Sequence, residues 1–167
     1  MEVNFLAVLV ATLIPTLTGF IWYNPKVFGK AWMEAAGVTE EKIKNANMFI
    51  IFGVSLLLSF MLAFFSQNLT IHQFAIFSLL ENQPGMHENP ITNPDFLSMM
   101  EKYGTNFRSF KHGLLHGTVA SLFFILPVLG TNAMLERKGF KYILINVGYW
   151  TITLALMCGV LCGWMKG

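Results

Sequence analysis

"GLLHGTVASLFFILPVLGTNA", residues 113–133, runs its whole length without an Asp, Glu, Lys or Arg. At about 1.5 Å of rise per residue, a helix of this length crosses the roughly 30 Å hydrocarbon layer of a bilayer. Comparable runs occupy 3–23, 47–66 and 142–164. Backbone polar groups in lipid must be satisfied within the segment, so each run reads as a helix. The pattern predicts an all-α fold: an integral membrane four-helix bundle, one transmembrane domain over 1–167. A long outward-facing extramembrane loop, about 67–111, separates the second and third helices.

Composition agrees. Charged residues make up 12% of the chain and hydrophobic ones 54%, with sixteen Phe and ten Met, whereas a soluble domain carries about 25% charged residues. The mean hydropathy is +0.56. A net charge of +2, with acids interspersed, provides no basic surface for nucleic acid. The opening "MEVNF" has an acid, no basic stretch and no small-residue cleavage site, which predicts a retained anchor instead of a cleaved signal peptide. Cys158 and Cys162 lie one helical turn apart inside the fourth run and read as packing residues.

Orientation follows from lysine and arginine. The first loop carries Lys26, Lys30, Lys42 and Lys44, and the third Arg137, Lys138 and Lys141; the other side has Lys102, Arg108, Lys111 and Lys166. The positive-inside rule then puts the first and third loops in the cytoplasm and both termini outward.

Small residues recur along one face of each span: Ala7, Ala11 and Gly19 in the first, Ser55, Ser59 and Ala63 in the second, Gly113, Gly117 and Ser121 in the third, and Ala155, Gly159 and Gly163 in the fourth. Helices in lipid associate by close van der Waals approach, so these rows predict packing faces, within the chain or with a second copy. Pro15 and Pro127 each remove a helix hydrogen bond and predict kinks.

Trp22, Tyr23, Phe28 and Trp32 are interleaved with Lys26 and Lys30, a mixture suited to the headgroup layer. Trp22, Tyr23, Phe28, Lys30 and Trp32 are therefore candidate interfacial anchors. Gly37 is expected to end a short helix, and Thr39 to cap another that feeds into the second span. In the long loop, Asn93 as a cap, Pro94 at the first position and Gly104 as a stop predict a short helix.

His112 and His116 sit one turn apart where this loop meets the third span. Such a pair can ligate one transition metal, with His72 or a loop acid as a third ligand. The pair lacks the adjacent Glu of a zinc hydrolase motif. The competing reading puts His112 among headgroups, with His116 bonded to a neighbouring carbonyl. His116 is the deepest ionisable side chain, and an ionisable group within a span is a functional candidate by default. No carboxylate lies at mid-membrane, which disfavours ion-coupled transport; no hydrolase triad or phosphate loop occurs.

"GFIWYNPKVFGKAW" (19–32) resembles the small bacterial membrane proteins grouped as domain-of-unknown-function family 1761, through Gly19, Trp22, Tyr23, Phe28, Gly29, Lys30 and Trp32. "FKHGLLHG" (110–117), "TNAMLERK" (131–138) and "ILINVGYW" (143–150) are also similar to that family, whereas the stretch around 83–108 departs from its shorter members. The resemblance implies four membrane helices in a bacterial inner (cytoplasmic) membrane and no assigned activity or cofactor.

Two functional readings result. One is a non-enzymatic membrane protein that acts by helix packing, in a homo-oligomer or as an accessory subunit of a membrane complex, with no cofactor and the bilayer as its environment. The other is a small-solute or metal-ion permease or sensor using His112, His116 and His72 at the outer mouth of the bundle.

Overall fold

The computed structural model describes residues 3–164; Lys166, counted in the charge argument, lies outside them. Among the described residues the chain is helical and has no strand. Helix α1 spans Phe5–Trp22, α2 Gly29–Ala36, α3 Glu40–Lys44, α4 Met48–Thr70 and α5 Gln73–Leu80. A 3-10 turn at Pro90–Thr92 precedes α6, Pro94–Tyr103. Helix α7, Phe110–Ala120, continues through a π-helical turn at Ser121–Ile125 into α8, Leu126–Leu135; α9 is Phe140–Gly163. Four helical stretches are long and apolar enough to cross a membrane: α1, α4, α7–α8 taken together, and α9.

Helix α9 is the centre on which α1, α4 and α7–α8 pack. Small residues explain why α7 lies closest. A Cβ added to Gly113 would overlap the carbonyl of Cys158, and one on Gly117 would overlap that of Leu154. The two backbones touch, as small-residue faces allow. Gly159 and Gly163 instead accommodate Phe110, its ring and its backbone respectively. Ala155 and Ser121 are buried, and Ser121 Oγ lies 2.8 Å from Thr151 Oγ1 across the same interface. Thr18 and Thr153 make a similar bridge at 2.8 Å between α1 and α9, and the Tyr149 hydroxyl donates to the Pro15 carbonyl. These small residues thus face neighbouring parts of the same chain, whereas Ser55 of the row expected on α4 is exposed.

The two prolines are accommodated differently. Pro15 stays inside one uninterrupted helix. Ahead of Pro127 the chain widens by one residue, so that the Leu126 amide bonds the Ser121 carbonyl five residues back. A proline ring otherwise collides with the carbonyl four residues earlier, and a wide turn relieves that contact.

Several boundaries shift from the sequence expectation. Helix α4 continues to Thr70, because Ser66, Gln67 and Thr70 are buried by protein and so tolerate the membrane end despite their polarity. Helix α7 begins at Phe110, capped by Ser109, whose Oγ accepts from the His112 amide. Thr39 caps α3 as expected, but α3 ends at Asn45 and Asn47 starts α4 afresh. Gly37, at φ +71°, ends α2. Residues 71–109 form a folded cap: Asn93 caps α6 and donates to the Pro84 carbonyl, while Met86 and Phe96 are buried inside it.

Candidate metal centre

The chain crosses the membrane-spanning part at two points beside the cap, and histidines stand at both. His72 occupies the joint between α4 and α5, just after Ile71 breaks the helix with an extended backbone. His112 and His116 lie on α7 one residue before Gly113 and Gly117. Contact of those glycines with α9 fixes where the α7 imidazoles sit.

The three rings converge through the same atom. His72 Nε2 lies 2.8 Å from His112 Nε2, and His116 Nε2 lies 3.0 Å from His112 Nε2. The ligand atoms of all three lie within 4.8 Å of one another. An imidazole nitrogen carries either one proton or one in-plane lone pair. The His112 Nε2, shared between two neighbours, therefore forms one well-directed hydrogen bond and leaves the other contact poor. A cation satisfies all three lone pairs at once. At metal–nitrogen lengths of about 2.0–2.1 Å, tetrahedral ligand atoms stand about 3.3 Å apart. The observed close pairs need to open by only a few tenths of an ångström.

Ligand chemistry narrows the ion. The cluster holds imidazoles alone, with no carboxylate or thiol. Calcium and magnesium call for oxygen, and Cu(I) for sulfur, whereas Zn(II), Cu(II), Ni(II) and Co(II) suit imidazole. Three ligands leave a coordination position open. His72 is exposed and the other two are partly so, which connects the site to water.

Phe107 forms one wall. Its ring centroid is 5.8 Å from that of His72, edge-on, and 5.1 Å from that of His112. Its backbone is left-handed at φ +60°, an uncommon conformation for an aromatic residue. The sequence offers Phe107 only as one of the apolar residues, with Phe96, Leu97 and Met100, that cap the outer mouth of the bundle, and not as a neighbour of the histidines. His87 is exposed and stands apart from the cluster, as do the loop acids that were alternatives for a third ligand.

At the opposite end of the bundle the aromatic motif folds under α9. Trp22 Nε1 donates to the Ile145 carbonyl at 3.0 Å. The Tyr23 hydroxyl and Trp32 Nε1 both donate to Asn146 Oδ1, at 3.0 and 3.3 Å, and Asn146 Nδ2 donates to the Tyr142 carbonyl. The Trp22 and Phe28 ring centroids are 4.4 Å apart; Phe28 and Lys30 are exposed. Gly148 leaves room for the Trp22 ring, and Gly29 for the turn at Tyr23–Asn24. Each polar tip of Trp22, Tyr23 and Trp32 has a protein partner, so this end is a structural clamp. Asn146, its hub, was legible as an amide inside the apolar "ILINVGYW" but was not singled out. Beside the clamp, Lys141 pairs with Glu34 at 2.5 Å, and the hydrogen bond holds the Glu34 carboxyl below its usual range.

A family model described as "Protein of unknown function (DUF1761)" matches residues 6–162. No curated protein and no solved structure matches the chain.

Proposed function

We propose that this chain, which belongs to the DUF1761 family, is a non-enzymatic integral membrane protein that captures a divalent transition-metal ion at its cap end. The observation that carries the reading is the shared His112 Nε2, at 2.8 and 3.0 Å from two other imidazole nitrogens. Charge asymmetry supports placing the cap and both termini outside the cytoplasm of a bacterial inner membrane.

Sensing or capture fits better than permeation. Beyond His116, α7 lies at backbone contact with α9 at Gly117, and the described spans contain no Asp or Glu that could hand an ion onward. No protein acceptor among the described residues holds the Nδ1 atom of any of the three imidazoles; the contacts they make run through Nε2. Tightly held metals usually have such outer partners, so an exchangeable ion suits this site.

The packing reading retains one supporting observation. Helix α4 leaves most of its flank outside the chain's own core, with Phe49 at 93% exposure, and a second copy or another membrane protein would cover what lipid otherwise does.

Native mass spectrometry of gently solubilised protein tests both. The expected result is one zinc or copper ion per chain, lost with chelator and absent in His116→Ala. A metal-free chain at saturating zinc would overturn the metal reading; a dimer or a co-purifying partner would favour the packing one.

A further inference from the structure

We infer that a metal ion at the histidine triad acts as a clasp, joining the two ends of the cap and setting how tightly residues 71–109 are held over the bundle. The inference rests on the metal-binding reading above and assigns that site a regulatory consequence.

The cap is bound more to itself than to the membrane helices. Helices α5 and α6 make their close backbone contacts with each other, and α6 also with the 3-10 turn, but not extensively with any spanning helix. Phe77 meets Phe96 edge-on at 6.2 Å in the cap's own small core. Its attachment is concentrated at the base. There Gln73 Nε2 donates to the carbonyls of Tyr103 and Asn106, joining the first turn of the cap to its last. Cys162 of α9 reaches the carbonyls of Thr70 and Phe107.

This base is imperfectly bonded. Thr70 Oγ1, Gln73 Oε1 and Arg108 Nε are buried there with no partner among the described residues. Buried polar atoms left so are costly, and opening the base to water relieves them. Phe107 adds backbone strain at the re-entry point. Opposing these terms at the base is the contact between His72, where the chain leaves the bundle, and His112, where it returns. Between two solvent-accessible imidazoles that is one modest hydrogen bond. A metal replaces it with a three-coordinate link across a 40-residue separation. His112 and His116 ride on α7, which is fixed to α9, so the ion draws the His72 end onto an immobile partner.

Opening the base takes His72 away and degrades the site, so metal binding and cap closure are linked. Metal at about 100 times its dissociation constant lowers the open fraction by up to about 100-fold.

Hydrogen–deuterium exchange of the full chain in lipid nanodiscs, with zinc or with chelator, tests this; native mass spectra of the same samples report occupancy. Zinc should slow amide exchange across residues 73–106 by up to about 100-fold and leave the middle of α9 unchanged. His72→Gln should abolish that slowing while His112 and His116 still hold a weaker adduct. Protease cleavage at the exposed residues 81–84 or 87–89 offers a readout on the unaltered protein, and zinc should suppress it. A zinc adduct in the mass spectrum with unchanged exchange and cleavage would overturn the clasp, as would slowing that persists in His72→Gln. Absence of any adduct would remove the metal-binding reading itself, and the clasp with it.

Discussion

His112 is where the chemistry concentrates, because one nitrogen faces two others of its kind. His112→Asn should abolish stoichiometric zinc binding with little change in fold, since the ring is partly exposed and α7 is held by glycines on another face; calorimetry with zinc reads this directly. Metal binding requires neutral imidazole, so each bound ion competes with protons. Affinity should therefore fall as the medium is acidified. An affinity flat from pH 7.5 to 5.5 would mean that other groups bind the ion. Phe107 allows a separate test. Phe107→Gly relaxes the left-handed backbone but removes the ring beside His72 and His112. With that wall gone the two imidazoles are less well positioned, so zinc should bind more weakly even if the melting temperature rises.

At the scale of the helices, two contacts decide the arrangement. Gly117→Ala puts a methyl group into the backbone of Leu154 and Ala155, and overpacking of this kind costs about 1–3 kcal/mol. Since α7 must then move off α9, His116 shifts with it. A lowered melting temperature in detergent should accompany weaker zinc binding. Asn146 is the corresponding hub at the other end. Asn146→Leu leaves the Tyr23 hydroxyl and the Trp32 indole without their acceptor, at a cost of about 1–3 kcal/mol. It should destabilise the bundle and leave metal affinity unaltered, because the clamp and the triad occupy opposite ends. If zinc binding fell in parallel with stability, the two ends would be coupled more strongly than this packing implies.

For the whole molecule, the proposed topology, with the cap outside the cytoplasm, sets which surfaces an impermeant reagent can reach. The native Cys158 and Cys162 are buried, so an introduced surface cysteine can be read selectively. Asn82→Cys should react with an impermeant maleimide on intact cells, and Lys42→Cys only after permeabilisation; the reverse pattern would invert the proposed topology. Much of the fold was legible because it rests on local physics. The apolar runs required helices, Gly113 and Gly117 marked a contact face, and Asn93, Pro94 and Gly104 bounded α6 through capping preferences that act within one turn. The i, i+4 spacing of His112 and His116 was equally local. What the linear order left open was choice of partner. His72, a histidine 40 positions away, was one of several groups that could complete the pair, and only the joint between α4 and α5 decided for it. Nor did composition reveal that Trp22, Tyr23 and Trp32 turn toward Asn146 and the Ile145 carbonyl, or that Phe107 stands beside the imidazoles in a left-handed backbone. Periodicity and capping act over a few residues and are written in the sequence; convergence of side chains from separate helices depends on how those helices cross, which the assembled bundle alone determines.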